Sequence, residues 1–211
     1  MSFPLLVLGS YLFGSIPSGF IVGRLFGGVD VQTVGTKQIG TANVTRQLGK
    51  IHGILCLSLD LLKALIPMSI THYFLNEPMW VTAICGMVTV FGHDFPVFLN
   101  FDGGGGLATS MAVLFFLSPL HFFVVAPFAL ATSLFTGYVT VGGVVQFWGL
   151  GVAAWATGAP MATVYTSITL TIMAFLKSIP WIVNNPPGKF MNSHFVASPS
   201  DPVTPADMPE E

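Results

Sequence analysis

A helical protein that crosses the membrane several times is the fold class the sequence predicts, on three observations. Only 8% of the 211 residues are charged while 53% are apolar, and mean hydropathy is +0.77; an ordinary soluble domain is about 25% charged. The chain holds 23 Gly and 19 Phe, and glycine is commoner in membrane helices than in soluble ones. Its apolar runs approach the roughly 20 residues that one span requires. A water-soluble globule and a large aqueous domain are excluded. The net charge of -2 also excludes a generally basic nucleic-acid binder.

The first run, 3–26, is interrupted by Gly14, Pro17 and Gly19. Irregular backbone at membrane depth requires protein or a water-filled cavity to satisfy the freed groups. No basic segment or small-residue cleavage pattern precedes this run, so it is expected to be a retained span. Further spans are expected at 52–75, 79–99, 107–117, 120–135, 139–157 and 160–183. That makes seven, with Ser118-Pro119 as a turn; reading it as a kink lowers the count to six.

Arg24, Lys37, Arg46 and Lys50, four of the seven Lys and Arg residues, cluster between the first two spans. By the positive-inside rule this loop is cytoplasmic. The N-terminus is then outside and the C-terminus, after seven spans, cytoplasmic. One transmembrane domain is expected over 1–190, with cytoplasmic loops at 27–51 and 94–106. Residues 191–211 are expected to form a disordered Pro-rich acidic tail, since SPSDPVTPADMPEE cannot bury enough apolar surface to order itself. Cys56 and Cys85 lie inside apolar runs and read as small hydrophobic fillers. Neither a disulfide nor a metal site is inferred from them.

Two segments concentrate polar chemistry. Gly35 to Arg46 packs hydroxyls, amides, two glycines and two cations into twelve positions. Such a composition suits a phosphate or carboxylate, held by backbone N–H groups, hydroxyls and arginine; a solvated positive-inside loop is the other reading. The second segment runs from Gly92-His93-Asp94 through four glycines, Gly103 to Gly106, to Leu107-Ala108-Thr109. A glycine run that opens a helix can present N–H groups to an anion, or simply let the chain re-enter the bilayer. His93 is a candidate acid or base near neutrality, or an interfacial anchor. Asp60 and Lys63 lie one helical turn apart within the second span. Charges at that depth are functional candidates by default, and a mutually neutralising pair is the alternative.

Taken together, these pieces resemble the bacterial acyl-phosphate:glycerol-3-phosphate acyltransferases, integral membrane enzymes of seven spans. The resemblance rests on Gly9 to Gly19, Gly35 to Arg46 with Leu48-Gly49, Asp60 and Lys63, and Gly92-His93 through Thr109, in order and at matching spacing. It implies acyl transfer from an acyl phosphate to the 1-hydroxyl of glycerol 3-phosphate, at the bacterial plasma membrane, without a cofactor, metal or nucleic-acid partner. It further implies Thr36 and His93 as catalytic candidates. The phosphate-binding candidates are Lys37, Asn43, Arg46, Gly103, Gly104, Gly106, Thr109 and Thr140, with Asp60 and Lys63 in support.

The chain departs from the family pattern at several places. Thr36, Lys37 and Gln38 replace serine, glycine and asparagine in the first motif, and Gly105 stands where the second has lysine. Gly137 stands where a third loop has arginine, and the His, Asn and Glu of the last family motif have no counterparts around Lys177 to Asn185. A second reading therefore accompanies the enzyme: a catalytically degenerate relative acting as a lipid-binding or accessory subunit of a membrane complex.

Overall fold

The computed structural model describes residues 2–184 and is entirely helical over them. The tail expected over 191–211 lies outside the described residues. Among the described residues, six helical stretches are long and apolar enough to cross a membrane: Phe3–Gly27, Lys50–Phe74, Met79–Leu99, Pro119–Thr136, Val139–Ala156 and Met161–Ile179.

The first of these is broken. Helix α1 (Phe3–Gly14) stops, and α2 (Ser18–Gly27) begins after Pro17, whose ring has no N–H to continue the ladder. At the break the Ile16 carbonyl leaves the helical ladder and accepts the Ser18 N–H at 3.0 Å. Lys63, from α4 (Lys50–Ser69, extended by a π-helical turn Ile70–Phe74), donates to that oxygen at 3.2 Å and to Ser18 Oγ at 3.3 Å. Thus a buried cation and a local backbone N–H together satisfy the irregular backbone, as the low-dielectric setting demands.

Small residues let α1 approach α5 (Met79–Asp94). A Cβ on Gly92 would fall 3.0 Å from Ser15 N, and one on Gly14 would fall 2.8 Å from Thr89 Cα. In return Thr89 Oγ1 donates to Cys85 O at 2.8 Å and contacts Ser10 O at 3.3 Å. Close backbone approach over small residues and interhelical hydroxyl bonds are how membrane helices pack without a hydrophobic driving force.

The short helix α6 (Leu107–Leu117) sits in the centre of the bundle. Its Ala112, Val113 and Leu114 pack with Ala64, Met68, Val90, Phe147, Leu150 and Leu170 from four neighbouring helices. Eleven residues at 1.5 Å each give roughly 16 Å, about half a hydrocarbon core.

Ser118 (φ -156°, ψ 75°) is the one non-helical residue between α6 and α7 (Pro119–Thr136). Helix α7 forms the outer, lipid-facing layer, with Phe123, Phe128 and Phe135 exposed, and packs on α8 (Val139–Ala156). The Ser167 hydroxyl of α9 (Met161–Asn184) bonds the Phe147 carbonyl of α8.

Candidate active site

Three polar regions converge at one end of the bundle. Gln32 Nε2 donates to the Asp102 carbonyl at 3.0 Å, joining the loop after α2 to the segment before the glycine run. Lys177 of α9 lies with Nζ 4.5 Å from the centre of the Phe95 ring, just beyond α5. Leu107, which opens α6, fills the space that a side chain on Gly143 of α8 would occupy. The first turn of α8, with Thr140, therefore lies at this same end.

The loop from Val29 to Gly40 is shaped by Asn43, a residue 1% exposed on the short helix α3 (Thr41–Leu48). Its amide donates to the carbonyls of Val31 (2.9 Å), Val34 (3.2 Å) and Gln38 (2.9 Å), and its Oδ1 accepts the Thr36 N–H at 3.0 Å. All of its polar capacity is thus engaged with backbone, which makes it the organiser of the loop that presents Thr36 and Lys37. Lys37 is exposed and takes φ +57°, left-handed backbone that glycine adopts without cost. That conformation explains why glycine suits this position in the resembling motif. Arg46, in the last turn of α3, is exposed. Desolvation of part of its side chain draws the guanidinium below the usual arginine value, and it stays protonated at neutral pH.

A line of buried contacts connects this loop to the glycine run. Thr41 Oγ1 lies 3.8 Å from Cys56 Sγ, and Cys56 Sγ lies 3.8 Å from Asp60 Oδ2. Asp60 Oδ1 is 2.7 Å from Lys63 Nζ and 3.6 Å from His93 Nδ1, with all three residues at most 4% exposed. His93 lies under the glycine run. Its carbonyl accepts the Gly104 N–H at 3.1 Å, and a Cβ on Gly104 would sit 2.8 Å from imidazole Cε1. Beside it, a Cβ on Gly106 would come within 2.6 Å of Asp94 Oδ1, and Gly106 itself takes φ +63°. Thr109, fully buried in the first turn of α6, has no hydrogen-bond partner for its hydroxyl among the described residues.

The four glycines consequently differ. Gly103 and Gly104 are required by close approach to His93, Asp94 and Pro96, and Gly106 by its backbone angle, whereas a side chain at Gly105 meets nothing within 4 Å. Open space remains at the one position of the run where the resembling motif carries a lysine.

The comparisons with known proteins settle the ancestry. The family model described as glycerol-3-phosphate acyltransferase matches residues 4–185. The chain belongs to this family. It is 39% identical to the glycerol-3-phosphate acyltransferase of Aquifex aeolicus over 171 residues, covering 81% of this chain and 76% of that one. It is 42% identical to the glycerol-3-phosphate acyltransferase of an Anaeromyxobacter species over 151 residues, 70% of each. Among solved structures it is similar to PlsY (YgiH), an integral membrane glycerol 3-phosphate acyltransferase, in its glycerol 3-phosphate form. That similarity has a TM-score of 0.77 at 33% identity and covers 87% of this chain and 92% of that one. The lysophosphatidic acid form of the same protein gives a TM-score of 0.76. With its six long apolar helices, the chain is a multi-pass integral membrane member of the family.

Two participants were not legible in the sequence. Cys56, expected as a filler, is the contact between Thr41 and Asp60. Lys177 approaches Phe95 from the far end of the chain, and the only sequence signal for it is a cation near the end of an apolar run, which ordinarily marks an interface anchor.

Proposed function

We propose that this protein transfers an acyl group from an acyl phosphate to the 1-hydroxyl of glycerol 3-phosphate on the cytoplasmic face of the plasma membrane, yielding lysophosphatidate for phospholipid synthesis. The observation that carries the reading is the junction of two donor-rich loops at one end of the bundle, made by Gln32 with Asp102 and by the buried line from Thr41 to Gly104. The names borne by the family's relatives supply the substrate class.

In the proposed reaction the hydroxyl oxygen of glycerol 3-phosphate bonds to the acyl carbon while the bond from that carbon to the phosphate oxygen breaks. The hydroxyl proton leaves with the released phosphate, so atoms and charge balance without an oxidant or cofactor. Catalysis then consists of holding two anions close together in the correct orientation, where proximity and charge stabilisation do most of the work. Lys37 of the first loop and Arg46 of α3 offer positive charge, and Gly103 and Gly106 offer backbone N–H groups from the glycine run, whereas the Gly104 N–H is spent on the His93 carbonyl. The hydroxyls of Thr36, Thr109 and Thr140 are the neutral donors. Asn43 serves by shaping the first loop. Buried beneath the second, His93 serves by fixing the glycine run against the Asp60–Lys63 pair, with Thr36 left as the candidate to orient the acceptor hydroxyl.

Wild type and Arg46→Ala, purified in the same detergent and supplied with both substrates, test the reading. Lysophosphatidate from wild type and a loss of about tenfold or more in Arg46→Ala, on the scale of one charge-assisted hydrogen bond, are expected. Equal rates would remove Arg46 from the site. The alternative of a non-catalytic accessory subunit has no structural observation in its favour.

A further inference from the structure

The glycine run carries no cation of its own, since Gly105 occupies the place where one is most easily accommodated. A cation nevertheless stands beside the residues on which the run rests. The Lys177 ammonium is held over the face of Phe95, 4.5 Å from the ring centre. Phe95 directly follows His93 and Asp94, the two residues on which the glycine run rests: His93 through the Gly104 N–H, and Asp94 through its Oδ1 against Gly106. Lys177 is also near enough to both His93 and Asp94 to act on each electrostatically. It is half-buried, and among the described residues no carboxylate forms an ion pair with it. A ring face attracts an ammonium without consuming its N–H groups in directed hydrogen bonds. The arrangement therefore fixes a positive charge beside a set of backbone donors and leaves its hydrogens for an oxyanion.

We propose that Lys177 supplies the phosphate-binding cation of the glycine run, reaching it from the last helix instead of from within the run. The ligand chemistry is a phosphoryl dianion, present both in glycerol 3-phosphate and in the acyl phosphate. This inference rests on the acyltransferase reading, and it assigns to Lys177 the charge that Gly105 cannot provide.

The test compares wild type, Lys177→Gln, Lys177→Arg, Gly105→Lys and the double variant Gly105→Lys/Lys177→Gln. KM is measured for glycerol 3-phosphate and for acyl phosphate separately. Equilibrium binding of glycerol 3-phosphate alone is measured by calorimetry, and thermal unfolding is recorded for each variant. Lys177→Gln should raise KM for one of the two anions about tenfold or more, the scale of a charge-assisted hydrogen bond. The substrate affected identifies which phosphate Lys177 holds. Lys177→Arg should retain most affinity, and Gly105→Lys should restore the loss in the double variant. A merely structural role for Lys177 would not be rescued from position 105, because the added side chain enters open space on a different element.

An active wild type with both KM values unchanged in Lys177→Gln overturns the inference and leaves the acyltransferase reading standing. Loss in Lys177→Gln without rescue by Gly105→Lys also overturns it. Should Lys177→Gln unfold, Lys177→Arg and Gly105→Lys carry the test, and failure of either to bind glycerol 3-phosphate as tightly as wild type counts against it. Should wild type bind glycerol 3-phosphate without transferring acyl groups, weaker binding in Lys177→Gln upholds the anion site while the acyltransferase reading falls. Absence of both binding and transfer in folded wild type overturns both.

Discussion

Removing either member of the Asp60–Lys63 pair should destabilise the fold severely, and the two removals should differ in a specific order. The pair is separated by 2.7 Å and its side chains are 2% and 4% exposed, so either survivor is left charged in a low-dielectric interior. Breaking such a pair costs about 3–5 kcal/mol. In Asp60→Asn the ammonium keeps the Ile16 carbonyl at 3.2 Å and the Ser18 hydroxyl at 3.3 Å, which places it near the lower end of that range. Lys63→Met leaves a carboxylate with only the long contacts to Cys56 at 3.8 Å and His93 at 3.6 Å. It also removes one of the two bonds to the Ile16 carbonyl at the break between α1 and α2, which keeps the Ser18 N–H at 3.0 Å. Lys63→Met should therefore be the worse variant. For a chain of this size, 3–5 kcal/mol corresponds to a drop in Tm of roughly 6–20 °C. Cys56 and Cys85 are free and fully buried, so a thiol-reactive dye reports unfolding in detergent without an added label. The double variant Asp60→Leu/Lys63→Met should recover most of the loss, since replacing a buried ion pair by apolar groups is often close to neutral. Single variants within about 2 °C of wild type, or a milder effect for Lys63→Met than for Asp60→Asn, would refute this account of the pair.

Other expected outcomes concern the two loops and the topology. Gly104→Ala should lower Tm and transfer rate together, because the new methyl presses on the His93 ring at an overpacking cost of about 1–3 kcal/mol; Gly105→Ala should leave both unchanged. Lys37→Gly should raise stability by about 1 kcal/mol by relieving left-handed backbone, with a higher KM for an anionic substrate if the ammonium takes part in binding. Asn43→Ala should loosen the loop before α3 by removing the four Asn43 side-chain bonds that shape it, seen as faster amide exchange over 31–38 and a loss of activity. Introduced at Thr33, Asp102 and Ser200, cysteines should be labelled by impermeant reagents from the cytoplasmic side only, and one at Glu77 from the opposite side; labelling of Ser200→Cys from outside would defeat the seven-span reading.

The spans were legible because each is a long apolar run, and the break in the first because Gly14 and Pro17 cannot continue a buried helix unaided. What satisfies that break was not legible: Lys63 lies 47 positions from Ile16 in sequence, and only packing joins them. Asp60 and Lys63 were identified as a pair by helical spacing, whereas His93 joining them depends on how α5 leans on α4. Asn43 illustrates the limit of composition. Its polarity and place in a donor-rich segment suggest an anion ligand, yet its donors are spent on loop carbonyls that have no sequence signature. The short α6 read as a marginal span because length alone was visible. Its central position, walled by α4, α5, α8 and α9, is a tertiary fact that no run of eleven apolar residues announces. The equivalence of four adjacent glycines in sequence also hid three different demands, from backbone carbonyls and Pro96 at Gly103, an imidazole at Gly104 and a backbone angle at Gly106, along with one position under no demand at all.

The central claim, that this chain performs acyl transfer from acyl phosphate to glycerol 3-phosphate, is tested most directly by a phosphorus NMR time course with purified wild-type protein and both substrates. The predicted result is loss of the acyl phosphate signal matched by equal growth of lysophosphatidate and inorganic phosphate, with no phosphate release when glycerol 3-phosphate is omitted. An unchanged spectrum from folded protein, or phosphate released without lysophosphatidate, would contradict it.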